Sequence, residues 1–149
     1  MKKLFLSYLF VAVLVSFSFG AYAATFKLAS NVAVSAAKPT KIEVLYMNHG
    51  PLEDTLHTMK DLFSKYGDKL TISWYDFDSK TGEQFMAKKG ITQHTPLLVW
   101  VDGSTAVKLG QKEVKFSGFP TGSGPASFQG EWTFDDLKMA LDETAGKKR

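Results

Sequence analysis

The chain of 149 residues contains no cysteine, so neither a structural disulfide nor a catalytic thiol is possible. Among side chains only a thiolate performs disulfide exchange, so redox chemistry of that kind is excluded. A chain of this length can still bury a sizeable core, so the lack of disulfides is no obstacle to folding. The composition therefore predicts one folded domain without thiol chemistry.

The sequence also lacks a strong excess of one charge. It has 18 Lys and Arg against 15 Asp and Glu, and two of these bases, Lys2 and Lys3, precede an apolar N-terminal run. Without the first 23 residues, 16 bases remain, and three of them form the terminal Lys-Lys-Arg. A nearly neutral body without a basic stripe indicates that nucleic acid is not the partner.

Residues 1–23, "MKKLFLSYLFVAVLVSFSFGAYA", have the pattern of a secretory signal peptide. The apolar run from Leu4 to Phe19 is shorter than the roughly 20 residues that a membrane-spanning helix needs, and Ala21 and Ala23 form an A-x-A cleavage site. The pattern predicts cleavage after Ala23 and a periplasmic or secreted protein without a stable membrane anchor. Residues 24–40, rich in Ala, Ser and Thr, are interpreted as a lead-in.

Strand and helix patterns alternate from residue 41 onward. Apolar and β-branched residues predict strands at 41–47, 70–77 and 96–101, and helical periodicity predicts a helix from Pro51 to Gly67. A capped stretch closed by Gly90 predicts a short helix from about Thr81 to Lys89. The Asp102-Gly103 pair predicts a hairpin that pairs residues 104–109 back onto the third strand.

The end of the chain is less regular. Residues 110–132 are dense in Gly, Ser, Pro and Phe, which indicates a long loop facing solvent or a partner. Thr133 and Asp136 form a capping box, which predicts a C-terminal helix to about residue 145, followed by a basic tail at 146–149.

Two stretches resemble the thioredoxin-like fold family. "NHGPL" at 48–52 stands where that family carries a W-C-G-P-C turn, and it keeps Gly50 and Pro51 in frame. "MAKKGITQHTPLLVWVDG" at 86–103 resembles the passage from the second core helix through a cis-proline to a strand and a turn glycine. The resemblance covers about residues 41–110 and 133–145. It implies an α/β, three-layer domain at 41–145 with a mixed central sheet flanked by helices, and with residues 110–132 inserted before the last helix.

The resemblance also implies a site and the loss of its activity. His49 and Leu52 occupy the two cysteine positions, so disulfide exchange cannot be carried over, and we expect neither an enzyme nor a cofactor. The predicted binding surface comprises a turn and a loop: Asn48, His49, Gly50, Pro51 and Leu52, and Gln93, His94, Thr95 and Pro96. The resemblance implies a cis Thr95–Pro96 bond and an edge at 93–95 to which an extended peptide could add.

Four aromatic residues of the insertion are further candidates: Phe116, Phe119, Phe128 and Trp132. If 104–109 is the last core strand, the insertion leaves the sheet at the end that carries the 48–52 turn. The aromatics would then lie beside the turn as recognition residues, because they offer large contact area at low entropic cost. The alternative is that they fold inward and cover the sheet.

The sequence therefore predicts an exported, non-catalytic protein that binds a protein or peptide partner in the cell envelope. A second hypothesis is binding or delivery of copper or zinc through His49 and His94, with the thioether of Met47 nearby, because imidazole and thioether ligands suit such ions. A third is a structural subunit of an envelope complex.

Overall fold

Alternating strands and helices fill residues 38–147, the part of the chain that this computed structural model describes. The predicted signal peptide, residues 24–37 of the lead-in and the last two residues of the tail lie outside it. Helix α3 reaches Lys147, so the first two residues of the predicted tail are helical. No helix in this range combines the length and apolarity needed to cross a bilayer. In chain order the elements are β1 (Thr40–Tyr46), α1 (Glu53–Ser64), β2 (Leu70–Asp76), α2 (Lys80–Lys89), β3 (Leu97–Val101), β4 (Ala106–Leu109), β5 (Lys112–Lys115) and α3 (Phe134–Lys147).

The central sheet is mixed and has β1 in the middle. Strand β2 runs parallel to β1 and β3 runs antiparallel to it. Residues 116–118 then lie along the free edge of β3, where Val99 N–H donates to Phe116 O at 3.1 Å and Gly118 N–H donates to Leu97 O at 2.8 Å. The predicted mixed α/β fold is confirmed, and its arrangement is compatible with a thioredoxin-like fold.

Helices cover both faces of the sheet because successive strand side chains point in opposite directions. On one face, Ile42, Val44 and Val99 belong to the main core together with apolar residues of α1 and α3. On the other face, Leu45 and Trp100 form a smaller cluster with residues of β3 and α2. The main core takes from the two helices Leu56, Met59, Leu62 and Phe63, and Leu137, Ala140, Leu141 and Ala145. The sheet is therefore the middle of three layers.

The tight turn predicted after β3 forms, but the predicted pairing of residues 104–109 with β3 was wrong. Asp102 and Gly103 have φ of 48° and 91°, and Val101 and Ser104 exchange main-chain hydrogen bonds of 2.9 and 3.2 Å. The Ser104 hydroxyl then donates to Ala106 O at 2.7 Å and accepts from Ala106 N–H at 3.1 Å. Such a local side-chain turn leads the chain away from β3. Strand β4 pairs with β5 instead, and residues 116–118 occupy the place beside β3 that was predicted for 104–109.

The prediction of a loop at 110–132 was wrong for Lys112–Lys115, which form β5, while the rest of the segment contains only a short 3-10 helix at Ala126–Phe128. Residues 119–130, here called the lobe, fold back on themselves. Phe119 N–H donates to Phe128 O at 2.9 Å, and Gly130 N–H donates to Phe119 O at 2.7 Å. The Gln129 side chain accepts from Gly122 N–H and donates to Gly124 O, both at 3.2 Å. Because glycine has no side chain, the glycines of the lobe allow its backbone segments to pack closely.

The predicted cis bond at Thr95–Pro96 is trans, because no peptide bond among residues 38–147 is cis. The trans form of an X–Pro bond is favoured by about 0.5–1 kcal/mol in general. Here it also fits the sheet, since Pro96 O accepts a 3.0 Å hydrogen bond from Met47 N–H next to the β1–β3 pairing. Peptide binding therefore cannot be argued from a cis-proline.

Candidate functional site

The turn at 48–52 connects β1 to α1 and is held by main-chain hydrogen bonds. His49 N–H donates to Met47 O, and Leu52 N–H donates to His49 O, both at 2.9 Å. Residues Gly50–Leu52 form a single 3-10 turn before α1, with Pro51 inside it, where its missing N–H costs nothing. Leu52 is buried in the core, whereas the other four predicted turn residues are exposed. The His49 side chain makes no capping hydrogen bond, so its imidazole is available to a ligand.

The loop between α2 and β3 presents unpaired main chain. Gly90, with φ of 68°, ends α2 in the left-handed conformation. Within residues 38–147, the N–H and C=O groups of Thr92 to Thr95 make no hydrogen bond to protein. The His94 ring packs on Phe77 with ring centroids 4.4 Å apart, while Gln93 is exposed. This edge was predicted at 93–95, and its polar groups are accessible.

The turn, the loop and the lobe meet around one opening of about 350 Å³, here called the apolar cleft. Phe128 at the cleft is 53% exposed, which is unusual for a large apolar side chain. The hydroxyls of Thr55 on α1 and Ser123 share a 2.9 Å hydrogen bond, which fastens the lobe to the helix that follows the turn. The lining residues are Met47, His49, Pro51 and Leu52 from the turn region, His94 and Pro96 from the loop, and Phe119, Pro125 and Phe128 from the lobe.

The four insertion aromatics divide between the two roles that the sequence left open. Phe128 lines the cleft with an exposed ring, as the recognition hypothesis expected, whereas Phe119 lines the cleft but is itself buried in the main core. Phe116 and Trp132 are fully buried and cross edge to face at 5.5 Å in the main core, so their predicted place beside the turn was wrong. Trp132 Nε1–H donates to Gly118 O at 3.2 Å, which satisfies its buried polar group.

The three predicted metal ligands reach the same cavity, since Met47, His49 and His94 all line the cleft. Within the described range no group of three or more His, Asp or Glu side chains could hold a metal ion. A metal in the cleft would therefore depend on two imidazoles and a thioether, fewer strong ligands than the four of a typical structural zinc site. His57 lies elsewhere, on α1, with a largely exposed side chain 3.4 Å from Asp61.

Sequence reasoning missed two features. Pro125 lines the cleft, and its only signal was a proline in a glycine-rich stretch. Glu43 lies buried on β1, where its carboxylate contacts Lys41 Nζ at 2.6 Å and Lys89 Nζ at 2.8 Å. Burial raises the pKa of Glu43, but the two lysine hydrogen bonds and charges outweigh it, so the pKa is lowered overall. The signal in the sequence for this buried ion pair was an acidic residue within a predicted buried strand.

The chemistry that the cleft offers is apolar contact and hydrogen bonding by two imidazoles. None of its lining side chains carries a hydroxyl, a carboxylate or an amine, so they supply no pair of nucleophile and base of the serine or threonine kind. No protein-family model matches this chain, and no curated protein matches it either. Its function is therefore inferred from the cleft and from the residues around it.

Proposed function

We propose that this chain is an exported, non-catalytic protein that binds an extended segment of a protein partner at the apolar cleft. One observation carries the proposal: three segments distant in sequence, namely the turn, the loop and the lobe, converge on a single apolar opening. Its volume of about 350 Å³ falls in the range of about 300–1,000 Å³ that is common for binding pockets.

The lining of the cleft suits a peptide. Three prolines, Pro51, Pro96 and Pro125, are conformationally restricted, so little entropy is lost when a ligand packs on them. Phe128 is half exposed and would bury its remaining apolar surface under a partner. A partner segment could also pair with the free N–H and C=O groups beside His94. An extended peptide supplies apolar side chains and main-chain partners together, whereas an apolar small molecule supplies only the former.

The other parts of the proposal have separate support. Export is supported by the signal pattern at residues 1–23. Disulfide exchange by the chain's own side chains is excluded because no cysteine is present. The sheet order is compatible with the family that the two sequence stretches resemble, although in this protein the binding surface includes the lobe. A permanent structural subunit would use the same cleft and differ only in the lifetime of its complex.

Metal binding is the second candidate, because both imidazoles and the Met47 thioether line one cavity. It predicts that calorimetric titration with copper or zinc shows a site that His49→Ala and His94→Ala each abolish. Affinity that survives both substitutions would exclude the cleft as that site.

The proposed function is tested by photocrosslinking in the cell that makes the protein. A photoreactive phenylalanine analogue in place of Phe128 should give a discrete protein adduct. His94→Glu places a charge in the apolar cleft and should abolish that adduct. His57→Glu, at an exposed histidine on α1 outside the cleft, is the matched control and should leave it intact. An absent adduct, or one that persists in His94→Glu, would contradict the proposal.

A further inference from the structure

A second concave surface lies on the other side of the loop that borders the apolar cleft. It has a volume of about 380 Å³ and is here called the polar groove. Gln93 and Thr95 line it from the loop, Trp100 lines it from the α2-side face of β3, and Thr105 and Lys115 line it from the chain around the β4–β5 hairpin. Unlike the cleft, it offers hydroxyl, amide and amine groups.

From Gln93 to Pro96 successive residues face the two cavities in turn, although Thr92 also lines the groove. His94 and Pro96 line the apolar cleft, whereas Gln93 and Thr95 line the polar groove. This is the alternation expected of extended backbone, in which successive side chains point to opposite sides. A partner segment that paired with the free main chain of this loop would show the same alternation. One of its side chains would enter the cleft, and the next would enter the groove.

The groove has a net positive charge. Lys89 and Lys115 line it, and none of its described lining residues is acidic. The charge of Lys89 is offset by the buried Glu43 carboxylate, which it contacts at 2.8 Å. Lys115 is exposed and supplies the positive charge of the groove. Charge complementarity therefore favours a carboxylate in the groove.

We propose that the polar groove accepts an acidic side chain of the partner segment whose apolar side chain fills the cleft. The recognised sequence would then contain an apolar or aromatic residue directly beside Asp or Glu. This inference rests on the proposed function, because the cleft must hold the neighbouring residue. It adds a second pocket and defines the chemical class of the partner sequence.

The test uses random seven-residue peptides displayed on phage and selected on the immobilised protein. We expect enrichment of an aromatic or aliphatic residue adjacent to Asp or Glu. Selection on Lys115→Glu should keep the apolar preference and lose the acidic one. Lys108→Glu, on the same exposed face of the hairpin but outside the groove, should keep both. A selected peptide should bind Lys115→Glu about three- to tenfold more weakly than it binds Lys108→Glu, as expected for one partly exposed ion pair that becomes a repulsion.

The outcomes separate this inference from the proposed function. Apolar enrichment without adjacent acids, or acidic enrichment that survives Lys115→Glu, overturns the role of the groove and leaves the cleft standing. Apolar enrichment that His94→Glu does not remove, or no apolar enrichment at all, overturns the cleft and the groove together.

Discussion

At the scale of single residues, exposure separates Phe128 from the other three insertion aromatics, which are buried in the main core. Phe119 and Phe128 stand close to Phe116 and Trp132 in sequence, in similar glycine-rich surroundings. Trp132 is fully buried and hydrogen bonded, whereas Phe128 is 53% exposed at the cleft. Local sequence could not predict which of the four rings is buried, because the path of the backbone through the lobe decides which ring packs in the core. The main-chain pairing of Phe119 with Phe128 and Gly130 fixes that path.

The buried carboxylate of Glu43 should make stability depend on pH. Its folded-state pKa is lowered from the ordinary value of 4.5, so its contribution is complete above that pH and is lost as the pH falls through the folded pKa. Glu43→Gln should cost about 1–3 kcal/mol at pH 7, since two lysines lose a charged acceptor. The difference from wild type should shrink as the pH falls below 4.5, because protonation of the carboxyl then favours the unfolded chain, in which its pKa is higher.

Urea unfolding of both proteins across this pH range measures the effect. Asp136 and Asp142 also have lowered pKa values, so some acid dependence should remain in the variant. Glu131→Gln, at an exposed position, is the control and should change stability by less than about 0.5 kcal/mol at every pH. A gap between wild type and Glu43→Gln that stays constant down to pH 3 would contradict this account.

At the scale of elements, apolar patterns predicted β1, α1, β2 and β3 because each presents apolar side chains to the core, whereas capping signals predicted α2 and α3. The capping box also formed, with Asp136 N–H donating to the Thr133 hydroxyl at 3.1 Å. Strand β5 was missed because it has four residues, of which only Val114 is buried. The neighbour of β3 was missed for another reason. Residues 104–109 and 116–118 compete for the free edge of β3, and local sequence does not decide which of them pairs there.

The glycines of the lobe give the element-scale prediction. A Cβ on Gly130 would lie 1.9 Å from Ser117 O and 2.8 Å from Trp132 Cδ1, a backbone atom and a buried ring that cannot yield easily. Gly130→Ala should therefore cost about 1–3 kcal/mol through overpacking, measured by chemical denaturation. Gly50→Ala is the control, since nothing lies within 4 Å of its Cβ position and its φ is not positive, and it should be nearly neutral. Equal stability of the two variants would show that the lobe is not packed as described.

At the scale of the whole molecule, the candidate site lies at the edge of the packed core, and Leu52 and Phe119 belong to both. The core fills the space between the sheet and helices α1 and α3, while the cleft opens where the turn after β1 meets the loop before β3. The sequence could predict that the turn after β1 lies beside the loop before β3, because antiparallel pairing places the end of β1 next to the start of β3. It could not predict Pro125 or the polar groove, which depend on where the lobe and the β4–β5 hairpin return to the sheet.

Amide hydrogen exchange of the free protein should show this division. The amides of β1 and β3 are hydrogen bonded inside the sheet and should exchange slowest, near the limit set by global unfolding. Those of Thr92 to Thr95 have no acceptor among residues 38–147 and should exchange at close to the rate of an unstructured peptide. Mass spectrometry of overlapping peptic fragments, with the adjoining Leu97–Val101 strand as internal reference, separates the two classes. Strong protection at residues 92–95 would mean that this main chain is already paired, which would remove the edge that a partner segment needs.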